Sequence, residues 1–180
     1  MKLPIAFSTF VAATVLTISG CATGPQRPSE LPANLRPPEG QVLFLEAFAS
    51  GSQVYECSSK PGQPGTFEWT FSAPEAVLMN QAGHPIGKHY GGPTWKSNDG
   101  SLVVGKVKAN APSPDGSAIA WLLLEMKSKV GIGVFSRTTS IVRAHTVGGL
   151  APSTPCSAAM ARQLLHVPYT ATYYFYEAAV

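Results

Sequence analysis

Residues 168–178 read PYTATYYFYEA. A period of two puts Tyr169, Tyr173 and Phe175 on one face of an extended strand and Tyr174 and Tyr176 on the other. No helical register gathers these rings as cleanly, and aromatic residues favour a pleated, half-buried surface. Aromatic strands can stack sugars, but rings on both faces are more often core and packing between layers. This stretch reads as a strand with work to do on both sides.

The same period runs back along the chain. QVLFLEAF (41–48) puts Leu43, Leu45 and Ala47 on one face, and Val42, Phe44 and Phe48 around Glu46 on the other. A turn at Ser50-Gly51 then leads to QVYEC (53–57) as the return strand of a hairpin. TFEWTF (66–71) alternates Phe67, Trp69 and Phe71 against Glu68 and Thr70. SLVVGKVKA, AIAWLLLEMKSK and RTTSIVRAHTV follow, bounded by Gly, Pro, Asn or Asp. Only APEAVLMN (73–80) and PCSAAMARQLL (155–165) carry a helical option, and both are short. The expected fold is all-β, a single antiparallel β-sandwich or flattened β-barrel of about seven to nine short strands with one or two short helical turns.

The chain divides into three parts. Residues 1–20 have the form of an export signal: Lys2, then an uncharged apolar run from Leu3 to Ile18, shorter than the span of about 20 residues that crosses a bilayer. The run ends in Ile18-Ser19-Gly20-Cys21, which resembles the lipobox of bacterial lipoproteins. That resemblance implies cleavage before Cys21 and acylation of its sulfur and amine; several chains give stable anchoring where one is marginal. Ala22 stands where an aspartate marks inner-membrane retention in the enterobacterial pattern. The expected location is therefore the cell envelope, anchored in the outer membrane and facing the periplasm. Residues 21–40 hold the lipidated cysteine and five prolines without apolar periodicity, the composition of a stiff tether. Residues 41–180 are the right size for one β-rich domain.

With Cys21 acylated, Cys57 and Cys156 remain as an even pair in an oxidising compartment, and a disulfide between them is expected. Two free thiols are the other reading; a zinc site is a distant third, since no C-x-x-C pair occurs. Removing Lys2 leaves 12 basic residues against 10 acidic ones, a mature net charge of about +2. No basic stripe is present, which argues against nucleic acid as a partner.

Several stretches together are similar to one family. GKHYGGPTW (87–95), DGS (99–101) followed by an apolar strand with Gly105, AIAWLLLEMKSKVGIG (118–133), IVRAHTVGGLAPSTPC (141–156) and VPYTATYYFY (167–176) resemble the domain-of-unknown-function family 3455. GSQVYEC (51–57) fits as well, with Cys57 as its cysteine. The resemblance covers nearly all of 41–180 in the expected order. It implies an exported or lipid-anchored β-rich domain of the kind found in bacteria and fungi, and supplies no catalytic residues. Some fungal relatives carry a malate dehydrogenase label, but a dinucleotide site needs G-x-G-x-x-G between a strand and a helix. The nearest approach, GIGVFS (131–136), lies between two strands and has Ser136 for the third glycine. No NAD and no other cofactor is expected.

The densest cluster of chemistry-bearing residues is GKHYGGPTWKSNDGS (87–101). Its glycines and Pro93 describe a turn, and Asn98-Asp99-Gly100 a second one. A turn does not require His89, Tyr90 or Trp95, so these, with Asp99 and Arg143, are the candidate ligand-binding residues. Residues 87–95 are expected to form an irregular loop that anchors Trp95 on the sheet and presents His89 at the rim of a concave surface. Ile141, Arg143 and His145 share one strand face. An interior Arg143 needs a partner, for which Glu46, Glu56 and Glu68 are the strand carboxylates at hand; on an exposed face it is a solvated sheet residue, and the pattern leaves both open. His84 and His89 are five apart, no standard ligand spacing, and no metal is expected. No nucleophile elbow occurs. Asp99 and Asp115 are the only aspartates, both in Asp-Gly turns, which counts against a glycosidase. Two functions remain: a non-enzymatic envelope domain that binds a small ligand or envelope component, or an envelope enzyme or metal-dependent hydrolase using His89 with Asp99, His145 or Arg143. Convergence of at least three of those groups on one pocket separates them.

Overall fold

The structure, a computed structural model, describes residues 24–180; residues 1–20, expected to be an export signal, and Cys21, expected to be lipidated, lie outside the described residues. The domain has eight strands: β1 (Gln41–Ser59), β2 (Phe67–Met79), β3 (Pro85–Tyr90), β4 (Thr94–Ser97), β5 (Leu102–Ala111), β6 (Trp121–Val130), β7 (Ser140–Gly148) and β8 (Leu164–Ala178). Each pairs antiparallel with its neighbour, and β1 also pairs with β8, so the sheet closes into a barrel. Closure removes both edge strands and decides between the barrel and the sandwich. Among the described residues only 3-10 turns supply helix, at Ala33–Leu35, Val134–Arg137 and Ala158–Met160.

Two local expectations are corrected. Ser50-Gly51 is not a turn, because β1 runs unbroken for 19 residues and pairs with β2 and β8 on its two sides. Gly51 is there for a close approach: a Cβ would overlap the carbonyl oxygen of Glu75 and the backbone of Ala76. Residues 73–79 are strand rather than helix. Leu78 points into the core opposite Ala49, while Val77 stays exposed, and that pairing overrides local helix propensity.

Bulges adjust which side chains reach the interior. The one between Leu43 and Leu45 puts Leu45 against the interior core and Leu43 against an outer cluster, where strict alternation puts them together. A second, between Ala144 and Val147, turns His145 outward with φ 49°, while Ile141 stays inside. On β8 the alternation holds as read: Tyr169, Tyr173 and Phe175 are interior, Tyr174 and Tyr176 exterior. The exterior pair is covered in turn. Leu35, fully buried, packs with Trp121, Val142 and Tyr176, and Asn34 Nδ2 donates to the carbonyl of Asn110 at 2.9 Å. Part of the proline-rich segment thus lies on the barrel wall.

The two barrel ends differ. At the end holding the β2–β3, β4–β5 and β6–β7 connections, Phe135 is fully buried and stacks on Phe175, ring centroids 4.7 Å apart. Asp99 fastens this plug, accepting from Val134 N (2.7 Å) and from Ser101 N (2.9 Å) and Oγ (2.6 Å). At the other end the Cys57–Cys156 disulfide, Cα atoms 6.0 Å apart, ties β1 to the segment before β8.

Candidate functional site

The stretch 87–95 is a tight hairpin rather than an irregular loop. Strands β3 and β4 are joined by Gly91-Gly92-Pro93, with Gly92 at φ 126° and Thr94 Oγ1 donating to the Gly91 carbonyl at 2.9 Å. The strand pairing sets His89 directly opposite Trp95. Both point into the barrel, at 2 % and 1 % exposure, so His89 is an interior residue and not a rim residue. Trp95 fits because Gly105 faces it; a Cβ at Gly105 would lie 2.9 Å from the indole ring.

The chemical state of His89 follows from its partner. Its Nδ1 lies 2.9 Å from the carbonyl oxygen of Thr94, which can only accept, so Nδ1 carries the proton and Nε2 is left as a lone-pair acceptor. Burial lowers its pKa to about 3, the Thr94 carbonyl opposing and the Arg143 charge adding to the fall. His89 is a neutral imidazole, stacked on Trp95 with centroids 4.5 Å apart and 4.9 Å from the ring of Tyr173.

Beside these rings a cavity of about 530 Å³ opens at the end away from the Phe135 plug. Its deeper walls include His89, Trp95, Leu124 and Tyr173, and Phe71 and Leu150, both about half exposed, stand at its mouth. Arg143 lines the same cavity. The expectation that an interior Arg143 pairs with a strand glutamate is corrected: its Nε and Nη2 both donate to the carbonyl of Ala120, at 3.1 and 2.7 Å. Arg143 forms no salt bridge among the described residues, and no carboxylate lines the cavity. Three lining residues also carry buried donors with no partner: Gln53 Nε2, Trp95 Nε1 and the Tyr173 hydroxyl. Burial raises the Tyr173 pKa, with the Arg143 charge opposing, so this hydroxyl stays protonated.

The remaining candidates lie elsewhere. Tyr90 points outward from β3 at 38 % exposure. Asp99 belongs to the opposite barrel end; its bonds to Ser101 and to Val134 N hold its carboxyl at a pKa of about 2. His145 is outside, against Trp121 and Tyr174. Among the described residues no three His, Cys, Asp or Glu side chains gather to hold a metal ion. Of the groups weighed as catalytic, only His89 and Arg143 share the cavity. Sequence reading missed Gln53 and Tyr173 as site residues. Alternation groups Tyr173 with Tyr169 and Phe175 without saying which face is inner, and a polar residue in a strand such as Gln53 gives no signal of what it faces.

Residues 37–177 match the model of a family described as a protein of unknown function, DUF3455. The chain belongs to this family. No curated protein and no solved structure matches it. The DUF3455 region takes in all eight strands except the final residue of β8, both cysteines of the disulfide and every residue named at the cavity. It therefore contains the whole candidate site.

Proposed function

We propose that this DUF3455 domain is a non-enzymatic binding module of the bacterial envelope, taking a small ligand into the barrel cavity. In the same proposal Cys21 is lipidated and holds the domain to the outer membrane, facing the periplasm. The observation that carries the reading is the cavity: mostly apolar walls, a few convergent polar groups and three buried donors without partners. Pockets of about 300–1,000 Å³ with that balance, at the mouth of a rigid barrel, are the usual form of a small-molecule site. Each unpartnered buried donor costs about 1–3 kcal/mol, which a ligand's acceptor would recover.

The enzyme reading has less support. His89 has a free Nε2 lone pair, but among the described residues no serine, cysteine or carboxylate is hydrogen-bonded to it, and Ser72, the serine lining the cavity, is exposed while His89 is buried. The test uses 1-aminoanthracene, a neutral polarity-sensitive dye, with the mature domain. We expect saturable fluorescence enhancement that Leu122→Trp, which fills the cavity wall, abolishes without loss of the folded far-UV spectrum. Enhancement that is absent, or unchanged by Leu122→Trp, contradicts the reading.

A further inference from the structure

We infer that the cavity's ligand is an apolar monocarboxylate, its carboxylate held by Arg143 and its hydrocarbon body lying along the apolar residues at the mouth. The inference rests on the binding reading above and adds the chemistry of what is bound.

Charge comes first. Arg143 brings one permanent positive charge into a cavity that no carboxylate lines, and its contact is with a neutral carbonyl. Arg143 is partly buried, and a charge partly removed from water with no opposite charge beside it is under-compensated, so a ligand that supplies one negative charge is favoured over a neutral one. A second cation is missing from the lining, so a dianion such as a phosphate monoester leaves one charge unmatched.

Geometry narrows the choice further. The Nε and Nη2 edge of the guanidinium is taken by Ala120, which fixes its plane and leaves Nη1 and the second Nη2 hydrogen, beside the Tyr173 hydroxyl, to meet a ligand. Two parallel N–H donors match the two oxygens of a carboxylate. The unpartnered groups are also donors: Gln53 Nε2, the Tyr173 hydroxyl and Trp95 Nε1. A ligand head rich in acceptors satisfies them; an ammonium head satisfies none and meets Arg143 with like charge. Beyond the polar end, Phe71, Val107 and Leu150 are exposed apolar residues lining the cavity. Such a surface suits a hydrocarbon tail.

Calorimetry at pH 7 with decanoate, decanol and decylamine tests this on the mature domain. Decanoate is expected to bind about tenfold or more tighter than decanol, with decylamine weakest. Arg143→Met should bring decanoate down to the level of decanol while leaving decanol within about threefold of its starting affinity. Tyr173→Phe, which removes one donor and keeps the ring, should weaken decanoate severalfold and serves if Arg143→Met does not fold. Equal binding of decanoate and decanol, or a preference for decanoate that survives these variants, overturns the inference while leaving a binding cavity in place. Failure of all three probes and of 1-aminoanthracene to bind overturns the inference and the binding reading together.

Discussion

His89 and Trp95 occupy paired positions on β3 and β4, and their rings stack inside the barrel with centroids 4.5 Å apart and planes inclined by 18°. One face of the imidazole is thereby given to structure, and its Nδ1–H to Thr94. Trp95→Ala should cost about 3–5 kcal/mol, as core aromatic truncations do. His89→Ala should also destabilise, by about 1–3 kcal/mol, because it removes a buried ring and leaves the Thr94 carbonyl without its partner. Urea denaturation of the two variants measures both. Unchanged stability in His89→Ala would mean the stack is incidental.

The same burial makes stability depend on pH. His89 has a folded pKa of about 3, below the ordinary 6.5, so between these values the unfolded chain binds a proton that the folded one does not. Stability from this group is whole above pH 6.5 and declines as pH falls toward 3, at up to about 1.4 kcal/mol per pH unit. The stability difference between the wild type and His89→Gln, taken from urea midpoints at pH 7 and pH 4.5, should shift against the wild type at the lower pH. A difference independent of pH would contradict a neutral, buried His89.

Asp99 was read as a turn residue and weighed as a catalytic partner; the turn is what the fold uses. Its carboxylate pins the 3-10 turn that delivers Phe135 to the closed barrel end. Asp99→Ala should speed amide hydrogen exchange at Val134 and Phe135 by about tenfold, leaving the His89 cavity intact. Its pKa of about 2 lies below the ordinary carboxyl value. The anchorage is therefore present at neutral pH and lost as pH falls through about 2.

Much of the barrel was legible because period-two patterning survives wherever a strand is regular. On β8 the two faces read from Tyr169 to Tyr176 are the two faces observed. Reading failed at Leu43 and His145, where one extra residue in a strand reverses inside and outside, and a bulge leaves no mark that alternation detects. It failed at Gly51 for a different reason: a glycine that yields to a neighbouring backbone looks in sequence like a glycine that turns. The site was half legible. His89, Trp95 and Arg143 stood out as residues a turn or sheet does not need. That Arg143 is met by the Ala120 carbonyl instead of a glutamate was not readable, since a backbone acceptor has no residue type.

The proposed anchoring rests on Ile18-Ser19-Gly20-Cys21, outside the described residues. Cys21→Ser, expressed in a Gram-negative host, should leave the detergent-phase membrane fraction and appear in the soluble periplasm or as unprocessed precursor. An unchanged fraction and mobility on gels would contradict lipidation.

The central claim is that a small ligand occupies the space bounded by His89, Trp95, Arg143 and Tyr173. Nitrogen-15 NMR of the mature domain during titration with decanoate tests it most directly, because the Trp95 Nε1–H and Arg143 Nε–H signals report from the cavity wall. The account predicts saturable shifts of both signals, with the Phe135 amide at the closed end unmoved. Shifts confined to the outer face around Trp121 and Tyr174, or no saturable shift of the Trp95 and Arg143 signals, would contradict it.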